Sequence, residues 1–359
     1  MLKYRQVSFL LFLFFSILAL PKIALADHHA VILQYHHISD KTPKSTSVAP
    51  ETFAEHLDYL EKNHFNVLPL TQVTEALQKK APLPDKAVVI TFDDAYLNIY
   101  ENAFPLLKKK GWPFTLFVST EPVDRNFGEF LNWSQIQEMT KYGASIANHT
   151  TAHDHLVEIR KNESTTSWLD RVEKDITATE QRIQEKTGQS LKHFAWPYGE
   201  ATPELRALIS KLGYIGLGQQ SGAAGYYSDF TRLPRYPMAS SYADMNKFKL
   251  KVNSLPLPVI AQMPDSSLIT RQNLKPRLEL SLEKGPYQKD QLRCYATDQG
   301  ELEVKWLDKN KTRFETTAKS PLPEGRSRYN CTAPSNSGKQ YYWYSHTWLR
   351  LTESGKAKH

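Results

Sequence analysis

Through the first two-thirds of the chain, short aliphatic runs alternate with stretches whose apolar residues recur every three or four positions. Ala30–Tyr35 (AVILQY), Val67–Leu68, 87–92 (AVVITF), Phe114–Val118 (FTLFV), Gly143–Ala147, His193–Ala195 and Tyr214–Gly218 have the composition of buried strands, with Arg232–Tyr236 as a further candidate. Helical spacing recurs over 52–63 (Phe53, Leu57, Leu60), 71–79, 98–110, Ser134–Lys141, 164–187, Pro203–Leu212 and 242–253, while 119–131 reads as a loop. The run Lys108-Lys109-Lys110-Gly111 reads as a helix stop, with cations against the negative helix end and glycine after it. Strand–helix alternation of this kind predicts a parallel sheet with helices outside it. The polar motifs His36-His37, Asp93-Asp94, His149/His153 and Pro197-Tyr198 all fall just after strands. In β/α barrels the site lies at the C-terminal ends of the strands. The pattern therefore predicts a distorted (β/α)7 barrel over residues 27–253, in the α/β class.

Beyond about residue 255 the texture changes. Residues 254–275 open with the Pro-rich SLPLPVIAQMPDS and read as a linker. From 276 to 359 the pattern alternates (RLELSLE, QLRCYATD, ELEVKWLD, TRFETTAK, YYWYSHTWLRL), which predicts a small all-β domain. Cys294, Trp306 and Tyr329-x-Cys331 follow the order of an immunoglobulin-like sandwich, although the 37-residue spacing is short for that family. The aromatic run Tyr341-Tyr342-Trp343-Tyr344, with Trp348, alternates along one strand. One face must be core, and the other is a candidate surface for a glycan or a protein partner.

The first 26 residues change the picture of where the protein works. Lys3 and Arg5 precede the apolar run VSFLLFLFFSILAL, and Ala24-Leu25-Ala26 has the form of a cleavage site. The run is short for a bilayer span, so it reads as a signal peptide removed before Asp27. The mature chain is then expected to be exported, to the periplasm or beyond, with no transmembrane span. The formal charge of +7 falls to about +4 without Lys3, Arg5 and Lys22 of the leader, a mild balance that gives no case for nucleic acid. The two cysteines, Cys294 and Cys331, are expected to form a disulfide outside the cytoplasm.

The chemistry begins at Asp93-Asp94. Adjacent strand residues point opposite ways, so two acids at a strand end can take two roles if the chain turns there. One acid holds a metal and the other moves a proton. Asn148-His149-Thr150-Thr151-Ala152-His153 completes a His2Asp set suited to a hydrolytic metal site. The four-residue spacing of its histidines fits one face of a helical turn. Zinc suits such a set, and iron, cobalt and nickel are compatible with it.

Thr91-Phe92-Asp93-Asp94, His149-Thr150-x-x-His153 and Pro197-Tyr198-Gly199, in this order behind a leader, resemble the polysaccharide deacetylase family (NodB-like, carbohydrate esterase family 4) over roughly residues 30–255. Tyr35-His36 and the Asp-Asp-Ala form resemble its exported poly-N-acetylglucosamine deacetylases. The resemblance implies a barrel-like fold, a divalent metal and hydrolysis of N-acetyl groups on an amino-sugar polysaccharide. It implies Asp94, His149 and His153 as metal ligands and Asp93 as general base. It also implies Pro197 and Tyr198 in the groove wall, with the Tyr198 backbone N–H at the oxyanion. Trp196, next to them, is a candidate to stack on a sugar face, against core packing as the other reading.

Two positions depart from the family pattern. Ala195 stands where the family carries an Arg that orients the base. Leu233-Pro234-Arg235 stands where the family carries a Leu-x-His that donates a proton. Arg235 is a poor acid. It is a candidate for the charge partner of Asp93 or for contact with substrate. His36 and His37 are the candidate proton donors, because their strand end should face the same site, and each is weighed against a satisfied structural histidine; His155 and His193 read as structural, with support of the site as the minority reading for His155. Two rivals share these residues: an O-acetyl esterase, and a catalytically weak glycan-binding protein.

Overall fold

The computed structural model describes residues 28–358; the expected leader lies outside the described residues. The N-terminal part is a curled sheet with helices around it. Six parallel strands run in spatial order: β1 (His29–Tyr35), β2 (Ala87–Phe92), β3 (Phe114–Val118), β4 (Ala144–Asn148), β5 (His193–Ala195) and β6 (Ile215–Leu217). The sheet curls until a short strand, β7 (Tyr236–Pro237), pairs in parallel with Leu33–Gln34 of β1, while Leu233 bridges Leu217 of β6. The segment 233–237 thus spans the gap between first and last strands. Ala224–Gly225 adds an antiparallel pair to β1. The outcome is a mixed, partly closed barrel rather than seven regular repeats.

Alternation along the strands separates two cores. Ile32, Val89, Phe117, Ala147, Ala195, Leu217 and Leu233 pack together on the concave face, and helix Leu70–Gln78 inserts Leu70, Val73 and Leu77 among them. Val31, Leu33, Val88, Ile90, Phe92 and Leu116 face outward, against Phe53, Leu57 and Leu60 of helix Pro50–Lys62. Gly216 is required where the barrel closes. A Cβ there would lie 2.1 Å from the Thr231 carbonyl oxygen, because 230–233 hydrogen-bonds directly to Gly216 and Gly218.

Within the stretch 254–275 expected to link two domains, two short segments are strands. β8 (Leu255–Pro256) and β9 (Val259–Met263) join the two sheets of a C-terminal sandwich. One sheet runs β8–β16–β15–β11–β12, with β11 (Arg293–Ala296), β12 (Gly300–Leu302), β15 (Gly325–Pro334) and β16 (Tyr341–Arg350). The other runs β9–β10–β14–β13, with β10 (Arg277–Leu282), β13 (Lys305–Trp306) and β14 (Arg313–Thr317). Leu278, Leu280, Phe314, Tyr329 and Trp348 fill the space between them.

The immunoglobulin pattern does not describe this sandwich. Cys294 and Cys331 do bond, but they face each other on adjacent strands of one sheet rather than across the two. Trp306 lies partly buried on an edge strand rather than at the centre. The aromatic run of β16 is not an open platform either. Tyr342 and Tyr344 pack toward the sandwich core, whereas Trp343 packs against the barrel, edge-on to Tyr236 at 5.6 Å. Of the run, Tyr341 alone is substantially exposed. No helix of the described residues is long and apolar enough to cross a membrane.

Candidate metal centre and active site

β2 ends at Phe92, and the next two residues diverge. Asp93 continues the concave-face alternation of Val89 and Thr91, so its carboxylate points into the barrel. Asp94 and Ala95 then take left-handed backbone (φ 73° and 64°), which swings the second carboxylate away. Thr150, His153 and Tyr198 are left-handed as well (φ 68°, 57° and 58°). Each such non-glycine residue costs about 1–2 kcal/mol. Their concentration in the three motifs marks backbone held for what it positions.

Asp94 Oδ1 lies 3.2 Å from His149 Nε2 and 3.4 Å from His153 Nε2, and the three donor atoms fall within 4.8 Å of one another. The segment carrying the two histidines is not the expected helical turn. It is an irregular loop after β4, bent at Thr150 and His153, with Asn148 Oδ1 accepting from the Thr150 N–H. His149 is fully buried, and its Nδ1 faces the Ala195 carbonyl oxygen at 2.8 Å. Donation from Nδ1 leaves Nε2 with a lone pair directed at Asp94, the arrangement that a metal-ligating histidine takes when its other nitrogen donates to a carbonyl. Asp94 Oδ1 and His149 Nε2 are both buried without a hydrogen-bond partner. Buried polar atoms are rarely left so. An anionic oxygen and two imidazole nitrogens converging on one point fit a divalent cation.

The electrostatics agree. Burial pushes Asp94 up, but His149, His36 and His153 hold it well below the usual carboxylate range. Burial pushes His149 down, yet Asp94 and Asp93 together raise it above an ordinary histidine. His153 is pushed down to about 4 by burial and by His149. The acids favour positive charge at this point, and the two histidines cannot both carry it.

Asp93 sits beside this centre with no exposure at all. Arg235, also fully buried, grips it bidentately (Nη1–Oδ1 2.7 Å, Nη2–Oδ2 2.8 Å), and Gln34 Nε2 donates to Oδ2 at 2.6 Å. Arg235 is itself fixed by the Gly218 carbonyl oxygen (2.8 Å) and by Thr91 Oγ1 (3.2 Å). Burial pushes the Asp93 carboxyl up, and the Arg235 charge and hydrogen bonds hold it below its ordinary value. The guanidinium that Ala195 cannot provide therefore arrives from the closing segment 233–237. This placement leaves Arg235 no surface for substrate. His36 lies at the rim, its Nε2 4.0 Å from Asp93 Oδ2.

Tyr198 closes the other side. Its ring lies edge-on to His153 (4.4 Å) and flat on His155 (3.8 Å), and His155 Nδ1 pairs with Glu200 Oε2 at 2.8 Å. Gly199, at φ 71°, has no room for a side chain, since a Cβ would lie 2.8 Å from that of Gln219. Trp196, a candidate to stack on a sugar face, is a core residue instead: it is fully buried against Phe194, with Nε1 donating to the Thr231 carbonyl oxygen (2.9 Å). Its position puts it on the outward face of β5, and Pro197 beside it is buried too. His37 stacks on Tyr96 (3.6 Å), and His193 is tied to Thr74 Oγ1 (2.9 Å), away from the centre. Two site residues escaped the sequence reading. Gln34 is the one polar residue in an otherwise apolar strand, AVILQY, and that was its signal. Arg326, whose Nη1 donates to the Tyr198 carbonyl oxygen at 2.6 Å, comes from β15 of the sandwich and left none.

The family model described as polysaccharide deacetylase matches residues 80–217, which contain all three motifs. The poly-beta-1,6-N-acetyl-D-glucosamine N-deacetylase of Escherichia coli K12 is 27% identical over 249 residues, 59% of this chain and 37% of that protein. The chain thus matches little more than a third of that relative's length. The protein of the same name from Staphylococcus aureus MSSA476 is 27% identical over 248 residues, 84% of its length. Among solved structures, the Streptococcus pyogenes deacetylase PplD in complex with acetate superposes with a TM-score of 0.57 at 23% identity, covering 62% of this chain and 98% of that one. IcaB from Ammonifex degensii gives 0.55 at 23% identity, covering 63% and 98%. At that identity the two structures speak for the fold.

Proposed function

Since the chain belongs to the polysaccharide deacetylase family, we propose that it is an exported, metal-dependent hydrolase that removes N-acetyl groups from an N-acetylglucosamine-containing polysaccharide. The observation that carries this reading is the pairing of two differently held carboxylates: Asp94 with His149 and His153, and Asp93 locked by Arg235 and Gln34 beside them. The substrate assignment follows the names of the relatives, which deacetylate poly-β-1,6-N-acetylglucosamine. Peptidoglycan and chitin offer the same acetamido group. The Cys294–Cys331 bond supports export to the periplasm or beyond, as does the leader expected at 1–26.

Asp94, His149 and His153 would hold the cation. When bound, a divalent ion polarises an amide carbonyl and lowers the pKa of water toward ~7. Held by these three residues, such an ion would keep room for water and substrate. Asp93 takes the proton of the attacking water, and its partners fix the carboxylate so that no reorganisation is needed. The backbone N–H of Tyr198 would hold the developing oxyanion, the role the resemblance implies for it; a donor of this kind is worth about 10²–10³ in rate. His36, at the rim beside Asp93, hands a proton to the departing amine.

The test is acetate release from N-acetylglucosamine oligomers by metal-loaded protein. Release that disappears in Asp93→Asn, with metal binding retained, and on chelation is the expected result. A well-folded, metal-loaded protein that releases no acetate from any acetamido polymer would sink the proposal. Release from O-acetylated sugars alone would replace it with the esterase.

A further inference from the structure

The sandwich is attached to the barrel at the site itself. The face of β15 and β16 that carries Arg326, Leu349 and Trp343 lies on the barrel, and the opposite face is the sandwich core. Three contacts reach the two loops that build the catalytic centre. Arg326 Nη1 donates to the Tyr198 carbonyl oxygen (2.6 Å), and its guanidinium lies 5.7 Å from the Tyr198 ring centroid. Ser267 Oγ donates to the Ala201 carbonyl oxygen (2.9 Å), three residues further along the same loop. Lys356 Nζ and the Ala357 N–H both bind Glu158 (2.6 and 2.9 Å), at the end of the loop carrying His149 and His153.

We propose that the C-terminal sandwich is a working part of the active site, and that Arg326 is a positioning residue that holds Tyr198 in its left-handed conformation. This deepens the deacetylase reading and rests on it for its kinetic consequences. The physical case is local. A tyrosine at φ 58° sits in a well that only its surroundings can keep populated. The peptide that follows Tyr198 is pinned at both of its polar ends: the Gly199 N–H donates to the Trp196 carbonyl oxygen (2.8 Å) and closes the turn, and the Tyr198 carbonyl accepts from the charged guanidinium. Pinning that peptide restrains ψ of Tyr198, while its ring packs on His153 and His155. Without Arg326 one of these restraints is lost, and Tyr198 is expected to leave its left-handed conformation more often, with its ring shifting on His153 and His155.

The experiment uses the full chain in three forms: wild type, Arg326→Ala and Arg326→Lys. Two readouts are taken. In metal-free protein, hydrogen exchange is measured on a peptide covering residues 196–201. Exchange is expected to be faster in Arg326→Ala and partly restored in Arg326→Lys, since an ammonium can still donate to the carbonyl. In metal-loaded protein, kcat for acetate release is expected to fall about 10- to 100-fold in Arg326→Ala, the range for a misplaced catalytic group, with KM within about two-fold. Unchanged exchange at 196–201 in Arg326→Ala overturns the clamp whatever the kinetics. A raised KM with wild-type kcat overturns it too, by making Arg326 a substrate contact. Wild-type protein that releases no acetate counts against the deacetylase reading, while the exchange readout still decides the clamp.

Discussion

Asp93 and Arg235 are both fully buried and share two hydrogen bonds. A pair of this kind is worth little relative to two apolar residues, but either partner alone is an uncompensated buried charge. Arg235→Gln is therefore expected to destabilise the protein by about 3–5 kcal/mol, and adding Asp93→Asn to recover much of that loss. Urea unfolding of the two single variants and the double variant measures the coupling. Additive losses would mean that the pair is not the unit described. Asp93, Asp94, His149 and His153 were legible in sequence because each motif is contiguous and sits at a strand end. Arg235 was legible as a misfit, a guanidinium where the family has an imidazole, and so as a candidate charge partner for Asp93. The structure chose between that and substrate contact, because the closing segment carries it across the barrel to the Asp93 carboxylate. Arg326 lies 128 residues from Tyr198, and no spacing rule joins them.

At the scale of elements, the strands were well marked by their aliphatic runs, and the irregular pieces were not. The loop 149–153 was read as a helical turn because i, i+4 spacing is shared by a turn of helix and by a loop bent through two left-handed residues. The linker read at 254–275 holds two short strands, whose edge pairings its prolines obscured. The barrel's closure depends on such a piece. Gly216→Ala would set a Cβ against the Thr231 carbonyl oxygen and displace the segment that delivers Arg235. Loss of both thermal stability and acetate release is expected, whereas a variant with wild-type melting and turnover would show that the segment can shift without cost. The sandwich carries a separate acid sensitivity. His346 is buried with neither ring nitrogen partnered, and burial, together with the nearby Arg232 and Arg206, holds its pKa well below an ordinary histidine. Unfolded, it takes up a proton below about pH 6.5; folded, it does not. The unfolded state then binds more protons, so stability falls as pH drops below that value, by up to about 2 kcal/mol at pH 5. His346→Phe should lose less melting temperature between pH 7 and pH 5 than the wild type. An unchanged acid limb would assign that sensitivity to other buried histidines, such as His56, which burial pushes down to about 4.

For the whole molecule, the question is whether barrel and sandwich act as one body. The disulfide offers a way to ask it, because the chain has two cysteines and both are in that bond. A reductant therefore acts on the sandwich alone. The bond closes a loop of sequence separation 37, which corresponds to about 4 kcal/mol of restriction on the unfolded chain. It ties β11 to β15, the strand that carries Arg326, and leaves every residue of the metal centre untouched. If the sandwich were a tethered accessory, reduction would lower its melting and leave turnover on short oligomers unchanged. If it holds the Tyr198 loop, melting and kcat should fall together. The variant carrying both Cys294→Ala and Cys331→Ala should start from the lowered values and respond no further to reductant. Full kcat in reduced protein under conditions where the sandwich has unfolded would separate the two parts. The barrel would then be sufficient for catalysis, and the contacts of Arg326, Ser267 and Lys356 would be packing alone.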